Sequence, residues 1–278
     1  MAEHPQIEAK GEDTAAAPAI SLSQAFSIHP GEVISLVGGG GKTTLMLALA
    51  KELSATGKVV VTTTTTRILA PPPGETILII EPDEDKMLAR LLGSLGKHRH
   101  ITLVAGRLPR GKLRGIRPEF VSTIAGLKQI DYIIVEADGA ARKPLKAPNA
   151  TEPVIPRNTS LLLPVVGIEA LGAKLTEDHA FRPEIISALT GLPPGGTISA
   201  DTIAILLTHP RGIIKGSPAA ARIIPLVNKM DLARDLLAAE DLASRILERR
   251  HPRISRVVLV QVKCPNPVVK VIKVAPAR

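Results

Sequence analysis

Four consecutive glycines run into a lysine and two threonines at Gly38-Gly39-Gly40-Gly41-Lys42-Thr43-Thr44. Apolar Val33 to Val37 precedes them and Leu45-Met46-Leu47-Ala48-Leu49-Ala50 follows, which reads as strand, glycine loop, helix. Glycine admits φ > 0 and lets backbone N–H groups approach an anion closely. The first turn of a helix adds unpaired N–H groups and a partial positive charge. Gly38, Gly39, Gly40, Gly41, Lys42, Thr43 and Thr44 are therefore expected to cradle the phosphates of a nucleoside triphosphate. In that reading Lys42 reaches the outer phosphates and helps the chemistry. The Thr43 hydroxyl binds Mg²⁺, an ion that takes few protein ligands beside phosphate and water.

Two further stretches carry chemistry. Tyr132-Ile133-Ile134-Val135 is apolar without alternation, as in a strand buried on both faces. It ends in Glu136-Ala137-Asp138-Gly139, whose period-two spacing puts both carboxylates on one side. Glu136 is expected at the metal, through water, and Asp138 is expected to orient the nucleophile. Asn228-Lys229-Met230-Asp231 follows another apolar run, Arg222 to Val227. N-K-x-D after a strand is the guanine-reading element of GTPase-like folds. The Asp carboxylate accepts guanine N1–H and the exocyclic amine, whereas adenine leaves it unpaired, so such sites reject the wrong analogue strongly. The same four residues also read as a plain helix start near Asp231, so GTP and ATP both remain.

Other polar residues are weaker candidates. A hydroxyl of Thr62 to Thr66 is placed at a strand tip where it could reach the metal or the terminal phosphate, with Arg67 near an anion. Arg107, Arg110, Lys112 and Arg114 stand in a glycine-containing loop, Gly106 to Gly115, suited to phosphate or an acidic substrate. Arg142, Lys143 and Lys146 follow the acid pair and suggest ion pairing or phosphate contact. His179 reads as structural rather than as a base or ligand. Cys264 reads as inert, although Lys263 to Asn266 falls where such folds finish the base pocket.

Composition limits the alternatives. The net charge is +9, spread along the chain, which reads as a plain basic protein or, more sharply, as one with an anionic small ligand and an acidic protein partner. With no Trp, one Tyr and three Phe there is no aromatic platform for single-stranded nucleic acid, and no nucleic-acid module is present. The single cysteine excludes an internal disulfide and a cysteine zinc cluster. No apolar run approaches the ~20 residues of a membrane span, and the start lacks a secretory h-region. The expected setting is the cytoplasm, with no membrane contact.

Positioning these groups requires an α/β fold, in which strand C-termini share one ligand crevice. Strands are predicted at 33–37, from Lys58 into the threonine run, and at 76–80, 101–104, 132–135, 160–166, 222–227 and 257–262. Helices are predicted at 43–54, 82–92, 176–189, 200–207 and 232–249, with another opened by Pro118 and a short helix or strand within 20–28 over the sheet edge. The expectation is a three-layer, P-loop NTPase-like domain over 20–278, its mostly parallel sheet covered by helices on both faces. Residues 1–19 are expected to be a disordered tail, and about 139–216 an inserted segment for substrate or partner.

The loop is two residues shorter than G-x-x-x-x-G-K-[ST], because Leu36 stands where the first glycine belongs; this short form resembles that of the Mur-type peptide ligases. Taken together, Leu36 to Thr44, Thr62 to Arg67, Glu136 to Gly139 with Arg142, Lys143, Pro144 and Lys146, and Asn228 to Asp231 resemble the YqeC type of accessory proteins of selenium-dependent molybdenum hydroxylases. The likeness runs from about Ile28 to Val262. It implies nucleotide contacts at the phosphate loop and a role in maturing the molybdenum-containing enzyme, with the apo-hydroxylase or its molybdenum cofactor as client. Three readings follow: a Mg-dependent nucleotide hydrolase acting as a maturation factor, a small-molecule ligase or phosphotransferase, and a non-catalytic nucleotide-gated chaperone.

Overall fold

The structure, a computed structural model, describes residues 20–274; the tail read at 1–19 lies outside the described residues. In chain order the main elements are α1 (Leu22–Ala25), β1 (Val33–Gly38), α2 (Lys42–Ala55), β2 (Val60–Thr64), β3 (Ile77–Ile80), α3 (Glu84–Ser94), β4 (His100–Val104), α4 (Pro118–Ala125), β5 (Tyr132–Glu136), β6 (Leu161–Gly167), α5 (Pro183–Thr190), α6 (Ala200–Thr208), β7 (Leu226–Asn228), α7 (Leu236–Glu248), β8 (Arg256–Val260) and β9 (Val268–Lys273). The sheet runs β9-β8-β7-β6-β1-β5-β2-β4-β3, and the short Arg222–Ile223 also pairs with β6. Every neighbour along it is parallel except β9, which lies antiparallel on β8.

Side-chain alternation explains the layers. Ile34 and Leu36 of β1, Ile134 of β5, and Leu161, Leu163 and Val165 of β6 point to one face, where α1 and α2 cover them with Leu22, Leu45, Met46 and Leu49. Val33, Val61, Ile133 and Val135 point the other way, against Met87 and Leu91 of α3 and Phe120 and Ile124 of α4. On that face Val37, Leu162, Val166, Val227 and Leu259 meet Ile203 and Leu206 of α6 and Leu242 and Ile246 of α7. All six positions of β1 are buried. Each such Leu, Ile or Val contributes ~1.5–3 kcal/mol, so the central strands are held from both sides. The result is a mixed α/β fold with a mostly parallel, helix-flanked sheet, consistent with the P-loop NTPase-like three-layer class.

Helix starts follow local chemistry. Asp83, Ser199 and Asp235 cap α3, α6 and α7 by accepting from Lys86, Thr202 and Leu237 N–H. Helix α2 differs: its N-cap is Gly41 at φ +113°, with no side-chain cap. Its first turn thus keeps its N–H groups for something else.

Several expected elements are corrected. The helix predicted from Thr176 begins only at Pro183, because Ala180–Phe181 is drawn into a two-stranded ladder with Leu145–Lys146. Thr176 is therefore not its N-cap; Arg182 holds that place in a left-handed conformation. The strand expected from Arg222 to Val227 is broken around Pro225, which has no N–H to give the ladder. The strand at 256–260 is not the last, since β9 adds an antiparallel edge. Strand β6 falls inside the span read as an insertion and lies mid-sheet, and α6 of the same span packs on the sheet, so the segments outside the sheet and its covering helices are 139–160 and about 168–199.

Candidate functional site

Register places the candidate groups at one end of the sheet. Leu36 of β1 and Thr64 of β2 are both aligned with Glu136, Gly38 is aligned with Val165, and Gly167 with Asn228. All five strands close their C-terminal ends around the glycine loop. The loop is packed tightly there. A Cβ on Gly40 would lie 2.2 Å from Gly167 N, and one on Gly39 would lie 2.6 Å from Lys143 O. Gly40 also has φ +77°, so only glycine fits.

Three loop amides are used by the protein itself. Gly38 N–H donates to Asp138 Oδ2 at 2.9 Å, Gly39 N–H to Val165 O at 2.9 Å and Gly40 N–H to Lys143 O at 3.0 Å. The amides of Gly41, Lys42, Thr43 and Thr44 have no protein acceptor among the described residues. Gly41, Thr43 and Thr44 are partly exposed. The amides that the loop leaves without a protein acceptor are therefore those of the last glycine and the first turn of α2.

The side chains form a chain of alternating charge. The Thr43 hydroxyl donates to Glu136 Oε2 at 2.6 Å. Lys42 Nζ donates to Gly38 O at 2.6 Å and lies 3.7 Å from Glu136 Oε1 and 3.0 Å from Asp138 Oδ1. That last contact is coulombic: Asp138 Oδ1 is buried and receives no well-directed hydrogen bond among the described residues. Lys146 Nζ lies 3.0 Å from Asp138 Oδ2 and 2.9 Å from Glu152 Oε2, and also donates to Gly139 O. Arg182 closes the chain on Glu152 at 2.7 Å. Lys146 is 0% exposed and Asp138 1%. Burial pushes Glu136 above the ordinary carboxylate range, against the pull of Lys42 and Thr43. Burial would lower Lys42, but Asp138 and Glu136 outweigh it and raise the ammonium above its ordinary value. Burial would likewise raise Glu152, yet Lys146 and Arg182 hold it below the usual range.

The remaining candidates divide. Asn228 joins the loop, its amide donating to Gly40 O at 2.8 Å. Lys229, in a left-handed turn, is paired with Glu169. Asp231 is exposed in a short 3-10 turn, and its carboxylate has no hydrogen-bond partner among the described residues. Four hydroxyls of the threonine run, those of Thr62 to Thr65, are taken up by protein partners, and Thr66 has only a 3.4 Å contact to the Thr64 hydroxyl. β2 is flanked on both sides, so Thr62 bonds Thr102 and His100, Thr63 bonds Leu103 O, Thr64 bonds Glu136 O and Thr65 bonds Val154 O. Arg67 is exposed on a separate small sheet. Of the three cations after the acid pair, Lys146 is an internal partner of Asp138, while Lys143 donates to Asp178 O and Arg142 is exposed. His179 is 3.4 Å from the Thr176 hydroxyl, and Cys264 is half-buried and in no disulfide.

Sequence reading missed Glu152, Arg182 and Lys215. Lys215 Nζ binds the carbonyls of Asn149, Ala150 and Glu152 and so fixes the turn that delivers Glu152. The available signal was the excess of cations after Asp138, which required a buried acid to answer Lys146. A cavity of about 810 Å³ also opens beside the loop, between Ile168 to Ala173, the start of α6 and the start of α7. Glu169 lines it; that residue's Oε2 is buried without a donor and would lie 2.3 Å from a Cβ on Gly167.

The family model for the YqeC protein matches residues 34–184, just over half of the chain. The chain belongs to the YqeC family. The matched span holds the phosphate loop, Glu136, Asp138, Lys146, Glu152 and Arg182, and ends before Asn228. A relative, "Uncharacterized protein YqeC" of Escherichia coli (strain K12), is 30% identical over 158 residues, covering 53% of this chain. The match spans 62% of that relative's length. No described helix is long and apolar enough to cross a membrane.

Proposed function

We propose that this YqeC-family protein binds a nucleoside triphosphate with Mg²⁺ at the start of α2 and hydrolyses it, as an accessory factor in maturing a selenium-dependent molybdenum hydroxylase. The observation that carries the nucleotide reading is the uncapped first turn of α2: four unpaired amides, next to Lys42 and an acid pair. An uncapped helix start favours a phosphate. The maturation role rests on the family resemblance.

The residues present suit a divalent ion. Among the described residues no cage of three or more His, Cys, Asp or Glu side chains exists, so the ion would rely on Thr43 and Glu136 together with phosphate and water, as Mg²⁺ commonly does. Bound there, it would neutralise charge on the transferred phosphoryl group. Lys42 is already protonated and buried; to touch a phosphate it exchanges its contact with Gly38 O or the carboxylates. Lys146 then keeps Asp138 paired. Asp138 Oδ1, which has no hydrogen-bond donor, accepts from the water that attacks phosphorus as the bond to the leaving diphosphate breaks. Asn228 ties the N-K-x-D turn to Gly40, and Asp231 is assigned to the guanine edge.

The test is turnover of GTP and ATP with and without Mg²⁺, in the wild type and Asp138→Asn. Mg-dependent phosphate release that falls in the variant supports hydrolysis; none, with or without an apo-hydroxylase, removes it. The cavity at Glu169 favours a second reading, transfer to a small acceptor seated there. Phosphate release only when an acceptor is added would select it.

A further inference from the structure

The C-terminal ends of β2 and β4 lead into a separate three-stranded antiparallel sheet, built from Arg67–Leu69, Lys112–Arg114 and Gly106–Arg107. It is sewn to the main sheet by Gly115 N–H to Thr66 O, Ile116 N–H to Thr64 O and Ala105 N–H to Arg114 O. It therefore stands at the same end of the molecule as the phosphate loop. Its inner face buries Ile68 and Leu113. Its outer face carries Arg67 directly opposite Arg114 and Leu69 opposite Lys112. Arg107 and Arg110 are exposed on the adjoining strand and turn.

Like charges placed directly across a ladder destabilise it. No acid offsets this: among the described residues, none of Arg67, Arg107, Arg110, Lys112 or Arg114 is in an ion pair, and Arg114 donates only to Ala105 O. Arg117, by contrast, is neutralised by a two-pronged contact with Glu84. Beside the ribbon a cavity of about 460 Å³ opens against α3, lined by Met87, Ala105 and Ile116, by Arg114 and by the Glu84–Arg117 pair. Leu69 adds an exposed apolar side chain to the ribbon, at 40% exposure.

We propose that this basic ribbon and its cavity dock an acidic polypeptide segment of a partner protein, with an apolar side chain of that segment in the cavity. The cations extend along the ribbon beyond the cavity, which fits an extended chain rather than one small anion. The absence of an aromatic side chain among these residues argues against a nucleic-acid strand. The inference does not rest on the nucleotide reading.

The test is fluorescence anisotropy of the full chain with three labelled probes: a peptide of alternating glutamate and leucine, the same peptide with glutamine for glutamate, and a single-stranded RNA. The acidic peptide should bind, the glutamine peptide should not, and affinity should fall with added salt. The variant Arg67→Ser/Arg107→Ser/Lys112→Ser/Arg114→Ser should weaken binding about tenfold or more, at a few-fold per exposed pair. Its circular dichroism should match the wild type, since all four side chains are exposed. The milder Lys112→Ser alone should weaken binding a few-fold. No binding of the acidic peptide by folded wild type, unchanged binding by the folded fourfold variant, or tighter binding of the RNA would each overturn the proposal.

Discussion

Replacing Lys146 by Met should be among the most damaging single changes outside the apolar core. The ammonium is fully buried; it donates to Glu152 Oε2 at 2.9 Å and to Gly139 O, and lies 3.0 Å from Asp138 Oδ2 as an ion pair. The wild-type chain balances three cations, Lys42, Lys146 and Arg182, against Glu136, Asp138 and Glu152. Met keeps the volume but leaves two carboxylates sharing the outer cations, and Asp138 is almost wholly buried. Breaking a buried pair by removing one partner costs about 3–5 kcal/mol. Each carboxylate keeps one cation, Lys42 or Arg182, so about 3 kcal/mol is expected. At ~2–4 °C per kcal/mol for a chain of this size, the melting temperature should fall by roughly 6–12 °C. Thermal melts of the wild type, Lys146→Met, Glu152→Gln and the double variant measure it. The double variant should cost clearly less than the sum, because the two residues are in contact. A loss below about 1 kcal/mol, or simple additivity, would show that the buried chain does not hold the 139–152 segment to the loop.

Gly40→Ala should destabilise by at least about 2 kcal/mol in urea unfolding, because a Cβ meets Gly167 N and φ is positive; an unchanged midpoint would contradict the tight loop packing. His100 is buried between Glu75 O and Thr62, and burial holds it below its ordinary pKa. Its contribution to stability is present above the unfolded value of ~6.5 and is lost as pH falls through the folded one. Melting temperature should therefore drop between about pH 7 and 5, more shallowly in His100→Gln; parallel pH curves would refute this. Asp231→Ala should abolish a preference for GTP over ATP, a change of about 10- to 100-fold if charged hydrogen bonds are lost. Competition binding checks it, and a retained preference would place base reading elsewhere.

How much was legible in the sequence follows from the range of each signal. The glycine loop was legible because its residue types answer a local backbone demand, and β5 because an uninterrupted apolar run implies burial on both faces. The Thr62–Thr66 run was legible as a strand end but not as a set of hydroxyls already spent on β4, β5 and Val154, since register is a property of neighbours. Lys146, Glu152 and Arg182 meet only because Ala180–Phe181 pairs with Leu145–Lys146, a contact across about thirty-five residues that no periodicity announces. That ladder, with Pro183 behind it, also shortened the expected helix. Edge strand β9 escaped because Val268 to Lys273 alternates weakly and is only half-buried.

Isothermal titration of Mg-GTP and Mg-ATP into the wild type and Lys42→Ala is the most direct test of nucleotide binding at α2. The free amides of the first turn of α2 predict saturable binding by the wild type, weakened about 10- to 100-fold in Lys42→Ala for one lost charge-assisted contact. Folded wild type that takes up neither nucleotide, or Lys42→Ala that binds them unchanged, would contradict it.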